Sequence, residues 1–397
     1  MGASKRTSDD KSSSGVFEWQ LSDGKNAKRY KDFRYDVERY WGGFPKTVPD
    51  GNVLPSWALG PFVKYSGNPV LAPSPDGWDV GKPGGGVRNG SILHRNGKFH
   101  YIYRCDLPRS PVGYDEWLGG AFDYVCDIGL ATSDDGIHFK KDQAHSPFFR
   151  KGEDERFSFE DVCLVENEGE YYLFCNRWDF TRAKDPTCNG VFLATSKDML
   201  NWHKVGLIFP GAQTIHRNPC ILQNPRNQAV RIDGRFVMYL NHHLIAYSTD
   251  LIHWKAEQVQ ESHLWPGGEG CFALCDYLDG DPDAVLLFTG GHHSGHFYAI
   301  GEVLFSKKDV TKPIEWLPRP LLTADPAIPW EDGRAVLPPH EEVSYFRDAV
   351  FFTGLTLHDG KWLMYYSGSD YYTCLAQANM LLAKSSDSNK AEKEKLI

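Results

Sequence analysis

From about residue 64 to residue 378 the chain is a succession of short apolar and aromatic runs cut by polar turns. One hairpin phrase recurs: Asn96-Gly-Lys-Phe-His-Tyr-Ile-Tyr-Arg104, Glu168-Gly-Glu-Tyr-Tyr-Leu-Phe-Cys-Asn176, Asp233-Gly-Arg-Phe-Val-Met-Tyr-Leu-Asn241 and Asp359-Gly-Lys-Trp-Leu-Met-Tyr-Tyr-Ser367. Three copies are followed by a β-type run, Ser with Asp, and an aromatic: 128–139, 191–202 and 244–254. Asn-Gly between β runs is a strong hairpin signal. Helical periodicity is absent from the body, so the runs read as strands. A long repeat of short strands predicts a β-propeller. Five units follow, with opening strands near 89–94, 159–166, 218–223, 270–277 and 348–357; the first unit spans about 64–140. The fourth hairpin is degenerate, because Asp281-Pro-Asp replaces the Gly turn. The expected fold is all-β, a five-bladed β-propeller with an N-terminal extension.

Residues 1–15 are polar and read as disordered. Residues 16–60 carry Trp19, Tyr30, Phe33, Tyr35, Tyr40 and Trp41 and read as an extension packed on the body. It could serve a subunit contact in a homo-oligomer or cap the first blade. The propeller is assigned 61–384, and 385–397 form a tail.

Composition narrows the function. Across 397 residues, hydrophobic content is 41% and aromatic content 14%, enough for a large core and for sugar-stacking faces. A net charge of -9 with no basic stripe argues against a nucleic-acid partner. No apolar run is long enough to span a bilayer, and the start of the chain lacks the apolar core of a secretory signal. The 9 cysteines are scattered through strand-like runs. They read as buried thiols in a reducing compartment, and a cytoplasmic location is expected.

The opening strands of a propeller line its channel. Their first residues are Arg88 and Asn89; Glu160 and Asp161; Arg217 and Asn218; Glu269; and Glu342, Arg347 and Asp348. Desolvating so many charges is costly unless they are paired. Their convergence points to a polar ligand, and carbohydrate fits best: carboxylates for proton transfer, Arg and Asn for hydroxyls. Asp or Arg at a blade start can equally tie neighbouring blades together. Adjacent strand residues face opposite ways, so one of Glu160 and Asp161 is expected in the channel and the other in support. Ser133/Asp134, Ser196/Asp198 and Ser248/Asp250 read as turn-forming pairs. His243 and His292 follow hairpins and are candidates for substrate contact. His292, His293 and His296 have zinc chemistry, but adjacent strand histidines rarely share one ion, and no metal or other cofactor is expected.

The segments Lys-Tyr-Ser-Gly-Asn-Pro-Val-Leu-Ala-Pro from Lys64, the first hairpin phrase, and Phe-Glu-Asp-Val-Cys-Leu-Val from Phe159 resemble glycoside hydrolase family 130, β-mannoside phosphorylases and β-mannosidases, over about residues 60–378. The resemblance implies inverting chemistry on an oligosaccharide or glycoside. The family's Glu-Asp-Pro-Arg motif, whose Asp is the general acid, matches Glu160-Asp161-Val162-Cys163. Asp161 is therefore the implied acid. The absent Pro and Arg weaken the case for phosphorolysis, in which inorganic phosphate is the co-substrate; Arg217 and Arg347 could still hold it. Tyr366-Ser-Gly-Ser-Asp370 resembles a family pattern in which Asp370 would hold sugar hydroxyls. Glu269 is taken as the base, with Glu342 and Asp348 in reserve. The expected function is hydrolysis of a β-mannoside or related glycoside. The alternatives are phosphorolysis and a non-catalytic carbohydrate-binding propeller.

Overall fold

Each expected opening strand is a strand in the structure, a computed structural model that describes residues 54–79, 86–106, 113–115, 120–122, 126–149, 157–179, 182, 185–241, 243–265, 269–293, 297–317, 320–325, 327–332 and 349–380. Four sequential antiparallel units are built alike. The first is Val87–Arg95, Lys98–Asp106, Cys126–Ser133 and Lys140–Lys141; the second is Phe157–Asn167, Glu170–Asp179, Gly190–Ser196 and His203–Leu207. The third is Cys220–Gln223, Arg235–Leu240, Leu244–Ser248 and Lys255–Gln258, with Arg231–Ile232 beside its second strand. The fourth is Glu269–Cys275, Ala284–His293, Phe297–Ser306 and Glu315–Trp316. The third and fourth units merge into one sheet, because their opening strands pair in parallel at Leu222↔Ala273 and Gln223↔Leu274.

The fifth unit differs in its origin. Val350–His358, Lys361–Gly368 and Tyr372–Asn379 take their outer strand, Val63–Lys64, from the other end of the chain. Residue 64 was expected to begin the first unit; it belongs instead to the last. Lys64 Nζ reaches the buried Glu331 carboxylate at 2.5 Å, and the Tyr366 hydroxyl donates to the same carboxylate at 2.7 Å. The described end of the predicted extension packs between the fourth and fifth units through Trp57, Ala58 and Leu59. Residues 1–53 and 381–397 lie outside the described residues.

The core is divided between the sheets. Five buried clusters each join two units: Leu93 with Leu164, Val165 with Ile221, Leu222 with Ala273, Leu286 with Phe352, and Ile92 with Tyr365. Leu164 and Val165 are adjacent yet serve different clusters, as strand alternation requires. Every sheet is therefore covered on both faces, which explains apolar runs longer than simple alternation. The opening strand of the first unit packs against those of the second and fifth units. The third unit's opening strand packs on those of the second and fourth, and the fourth's packs on the fifth's.

The outer turns carry the predicted Ser–Asp pairs, with one correction. Ser133 Oγ bonds Asp135 at 2.8 Å rather than Asp134, whose side chain is 87% exposed. The spacing is Ser-X-Asp in all three copies, since a carboxylate two residues on can accept from the next backbone N–H groups. At Asp198, the Asn201 backbone N–H, its side-chain amide and the Leu200 N–H hold the carboxyl well below its usual range.

A loop of the third unit ties the units together beyond Glu166. The Glu166 N–H donates to the Asn227 carbonyl at 3.0 Å. Glu166 Oε2 accepts from Arg95 at 2.8 Å and from Gln228 at 2.9 Å. Asn227, 1% exposed, donates to the Leu355 carbonyl at 3.0 Å. Asn227→Ala leaves that buried carbonyl without this donor, and a loss of about 1–3 kcal/mol is expected in denaturant unfolding.

One acidic group is out of place in the core. Glu302, 1% exposed among Tyr277, Leu286 and Leu304, has no well-formed hydrogen bond to either carboxylate oxygen among the described residues. Burial pushes its carboxyl well above the usual range, and the Leu59 N–H only partly offsets this. The folded protein holds the proton while the unfolded chain releases it near pH 4.5. Its contribution to stability is therefore full below that pH and is lost as pH rises toward the folded value. Glu302→Gln should gain about 1–2 kcal/mol over the parent at pH 8. The gain should disappear near pH 4, as read from unfolding curves of both proteins at each pH.

Candidate active site

Three opening strands break their pairing at the same place. Register shifts fall between Arg88 and Ser91 and between Glu160 and Cys163. In the third unit the Asn241 N–H donates to the Arg217 carbonyl, and regular pairing resumes at Cys220. Two residues face one across each break, the arrangement of a β-bulge. The residues that take positive φ there are Asn89 (43°), Asp161 (49°) and Asn218 (55°). Asx side chains tolerate this conformation better than others. In the first unit the next residue must be Gly90, because a Cβ there would lie 2.2 Å from the Ile102 carbonyl.

The bulges gather these side chains into one hydrogen-bonded belt. Asn89 Nδ2 donates to Asp161 Oδ1 at 2.9 Å, and Arg104 Nη1 donates to the same oxygen at 3.2 Å. Asn176 Nδ2 donates to Asp161 Oδ2 and to Asn218 Oδ1, both at 2.8 Å. The Asn218 N–H donates to Asn176 Oδ1 at 2.8 Å. On the other side, Ser367 Oγ accepts from the Asn89 N–H at 3.0 Å and donates to Asn89 Oδ1 at 2.8 Å. The belt thus crosses the fifth, first, second and third units. Arg104, Asn176 and Ser367 are buried, while the Asp161 side chain remains 18% exposed.

Glu160 does not face away from Asp161 as strand alternation would have it. Its Oε1 lies 3.5 Å from Arg104 Nη2 and accepts from Ser158 Oγ at 3.1 Å. The bulge resets the alternation, so one buried guanidinium faces both carboxylates. Arg104 Nε also contacts Cys126 Sγ at 3.1 Å.

Two further pairs flank the belt. Arg88, 1% exposed, lies 3.0 Å from Asp370 Oδ1, and the Asp370 side chain is 23% exposed at φ 50°. Arg217 is held by the Asn241 amide, whose oxygen, oriented toward it, accepts from Nε at 2.7 Å. Its guanidinium lies 6.0 Å from the Trp178 ring. His216 beside it is held below the ordinary histidine range by burial.

Among the proposed site residues, Arg88, Asn89, Glu160, Asp161, Arg217, Asn218 and Asp370 come together. His243 lies elsewhere: its Nε2 bonds the Trp265 carbonyl at 2.9 Å, and its ring packs edge-on against that indole. Glu269 opens its strand opposite Gly290, and His292 pairs with Tyr298, but their side chains lie outside the described residues. Glu342, Arg347, Asp348 and His296 lie outside them entirely. Among the described residues no group of three His, Cys, Asp or Glu side chains is arranged to hold a metal. Arg104, Asn176, Asn241 and Ser367 were not singled out from the sequence. Each ends a copy of the hairpin phrase, so the signal was one polar residue at a fixed place in the repeat.

The arrangement offers a carboxylate fixed by donors from three directions, with part of its surface open. Around it stand amides, guanidinium groups and a second, partly exposed carboxylate, a set suited to hydroxyl-rich ligands.

The fold is that of glycoside-active enzymes related to glycoside hydrolase family 130. A glycosyl hydrolase from Bacteroides ovatus superposes with a TM-score of 0.64 at 23% identity, covering 83% of this chain and 96% of that one. A structure from work on GH130 mannoside phosphorylases, among which are hydrolases of β-1,2-mannosidic linkages in Candida mannan, gives 0.63 at 24% identity over 83% and 96%. The β-1,2-mannobiose phosphorylase of Listeria innocua, in complex with β-1,2-mannobiose, gives 0.58 at 18% identity over 80% and 97%. No protein-family model matches the sequence. No curated protein matches it either.

Proposed function

We propose that this chain is a five-bladed propeller enzyme that hydrolyses a β-mannoside or a closely related glycoside, with inversion, at the end of its axis where the bulges lie. The propeller reading rests on the cyclic order in which the five opening strands touch. The enzymatic reading rests on one observation above the rest: Asp161 is held by Asn89, Arg104 and Asn176 yet stays partly exposed.

In this mechanism Asp161 is the acid. Its carboxyl proton passes to a sugar hydroxyl oxygen as that hydroxyl's own proton passes to the glycosidic oxygen, and the three N–H donors around Asp161 hold the carboxylate that results. Glu269 is the base that activates water. An inverting pair needs a separation of roughly 6.5–9.5 Å to admit that water. Asn89, Asn218, Arg88 and Asp370 take the sugar hydroxyls, with Glu160, Glu342 and Asp348 in supporting roles.

Phosphorolysis is the second reading. Arg217, fixed beside Asn218 by Asn241, is a ready anion partner and favours it; Arg347 would be the other. Incubating the protein with β-1,2-mannobiose with and without inorganic phosphate separates the two. Free mannose in both cases is expected. Mannose 1-phosphate formed only with phosphate would replace hydrolysis by phosphorolysis. Glu269→Gln should abolish hydrolysis while sugar binding, measured by calorimetry, survives; near-normal turnover by that variant would reject the base assignment. The 9 free cysteines fit a reducing, cytoplasmic setting.

A further inference from the structure

We infer that Asn176 is a positioning residue: it orients the Asp161 carboxylate and sets the pH range over which that carboxylate works. The inference rests on the reading that Asp161 handles the proton.

Asn176 is fully buried, so it is placed to act on its neighbours rather than on a ligand. Its orientation is forced. The Asn218 backbone N–H can only donate, so the atom facing it at 2.8 Å must be the amide oxygen. The amide nitrogen is then committed to Asp161 Oδ2 and Asn218 Oδ1. The main chain of the third unit thereby dictates a donor to the carboxylate of the second. Both contacted residues sit at positive-φ bulge positions, where backbone hydrogen bonds do not fix the side chains.

Among the described residues, the charged groups facing Asp161 are few. Arg104 touches Oδ1, and Glu160 stands behind that guanidinium. The adjacent Cys175 thiol is pushed well up by burial, with the Asp127 charge adding to it, and so is neutral. Asn176 is therefore the donor on Oδ2, the oxygen Arg104 does not reach. A donor to a carboxylate favours its charged form, and a second carboxylate in its place would oppose it.

The test is Asn176→Asp, which keeps the shape, with Asn176→Ser as a second variant that merely removes the donor. Aspartate carboxyl carbons are followed by NMR through a pH titration, with the Asp161 signal assigned by its loss in Asp161→Asn. In Asn176→Asp the Asp161 midpoint should rise by about one unit or more, as a coupled pair. In Asn176→Ser it should rise less. With β-1,2-mannobiose as the probe of turnover, the limb of the pH profile that depends on Asp161 should move the same way, kcat changing more than KM. A purely structural Asn176 would lower the melting temperature and leave the midpoint in place, and that result overturns the inference. The titration needs no turnover. Full activity in Asp161→Asn would instead overturn the functional reading, whatever Asn176 does.

Discussion

Asp161→Asn should lower turnover of β-1,2-mannobiose by at least about 10²-fold, the scale of losing a positioned proton-transfer group. The loss has two sources. An amide cannot exchange the proton, and it cannot satisfy the site. Both Asp161 oxygens accept hydrogen bonds, from Asn89 and Arg104 on one side and Asn176 on the other. The new NH2 group must face one of these donors. Asn176 cannot turn to relieve it, because its oxygen is held by the Asn218 N–H. Steady-state kinetics on the folded variant measure the effect. Turnover within about threefold of the parent would contradict it, whereas a parent without turnover whose sugar affinity survives Asp161→Asn would favour a propeller that binds sugar without cleaving it.

Arg104→Met carries the largest expected cost in stability. Arg104 is 5% exposed and faces Glu160 and Asp161, with Cys126 at its third contact. Methionine fills much of the space but removes the charge between two carboxylates. Breaking a buried ion pair on one side costs about 3–5 kcal/mol. Denaturant unfolding at neutral pH should show a loss of that size. Adding Glu160→Gln should recover part of it, because one of the stranded charges is then gone, and a double-mutant cycle isolates that coupling. A loss under about 1 kcal/mol would mean that the guanidinium is not what holds the pair.

Much of the architecture was legible because the repeat is written in alternating apolar runs and Gly turns. The opening strands Val87–Arg95, Phe157–Asn167 and Val350–His358 fall where the pattern put them. The latch of Val63–Lys64 onto Tyr372–Asn379 was not legible, because two residues carry no periodicity and their partner is at the far end of the chain. The site was half legible. Asp161, Asn89 and Asn218 were found by their place at the strand starts. The expectation that Glu160 and Asp161 face opposite ways failed because a bulge leaves no mark in composition, and one extra residue resets every side chain after it. Arg104 and Asn176 sat in plain view at the ends of the hairpin phrases. A repeat marks where a strand ends but not which strand of a unit points its polar residue at a neighbour, and here the second strand supplies the donors. His243 followed a hairpin in the same way, yet Trp265 offered it a carbonyl and a ring, and packing decided its direction.

The most direct measurement is a crystal structure of Asp161→Asn soaked with β-1,2-mannobiose. The account predicts the sugar at the bulges, with hydroxyls within hydrogen-bond distance of residue 161, Asn89 and Asp370, and the Glu269 carboxylate across the anomeric carbon. A sugar bound away from these residues, or Glu269 turned from the axis, would contradict it.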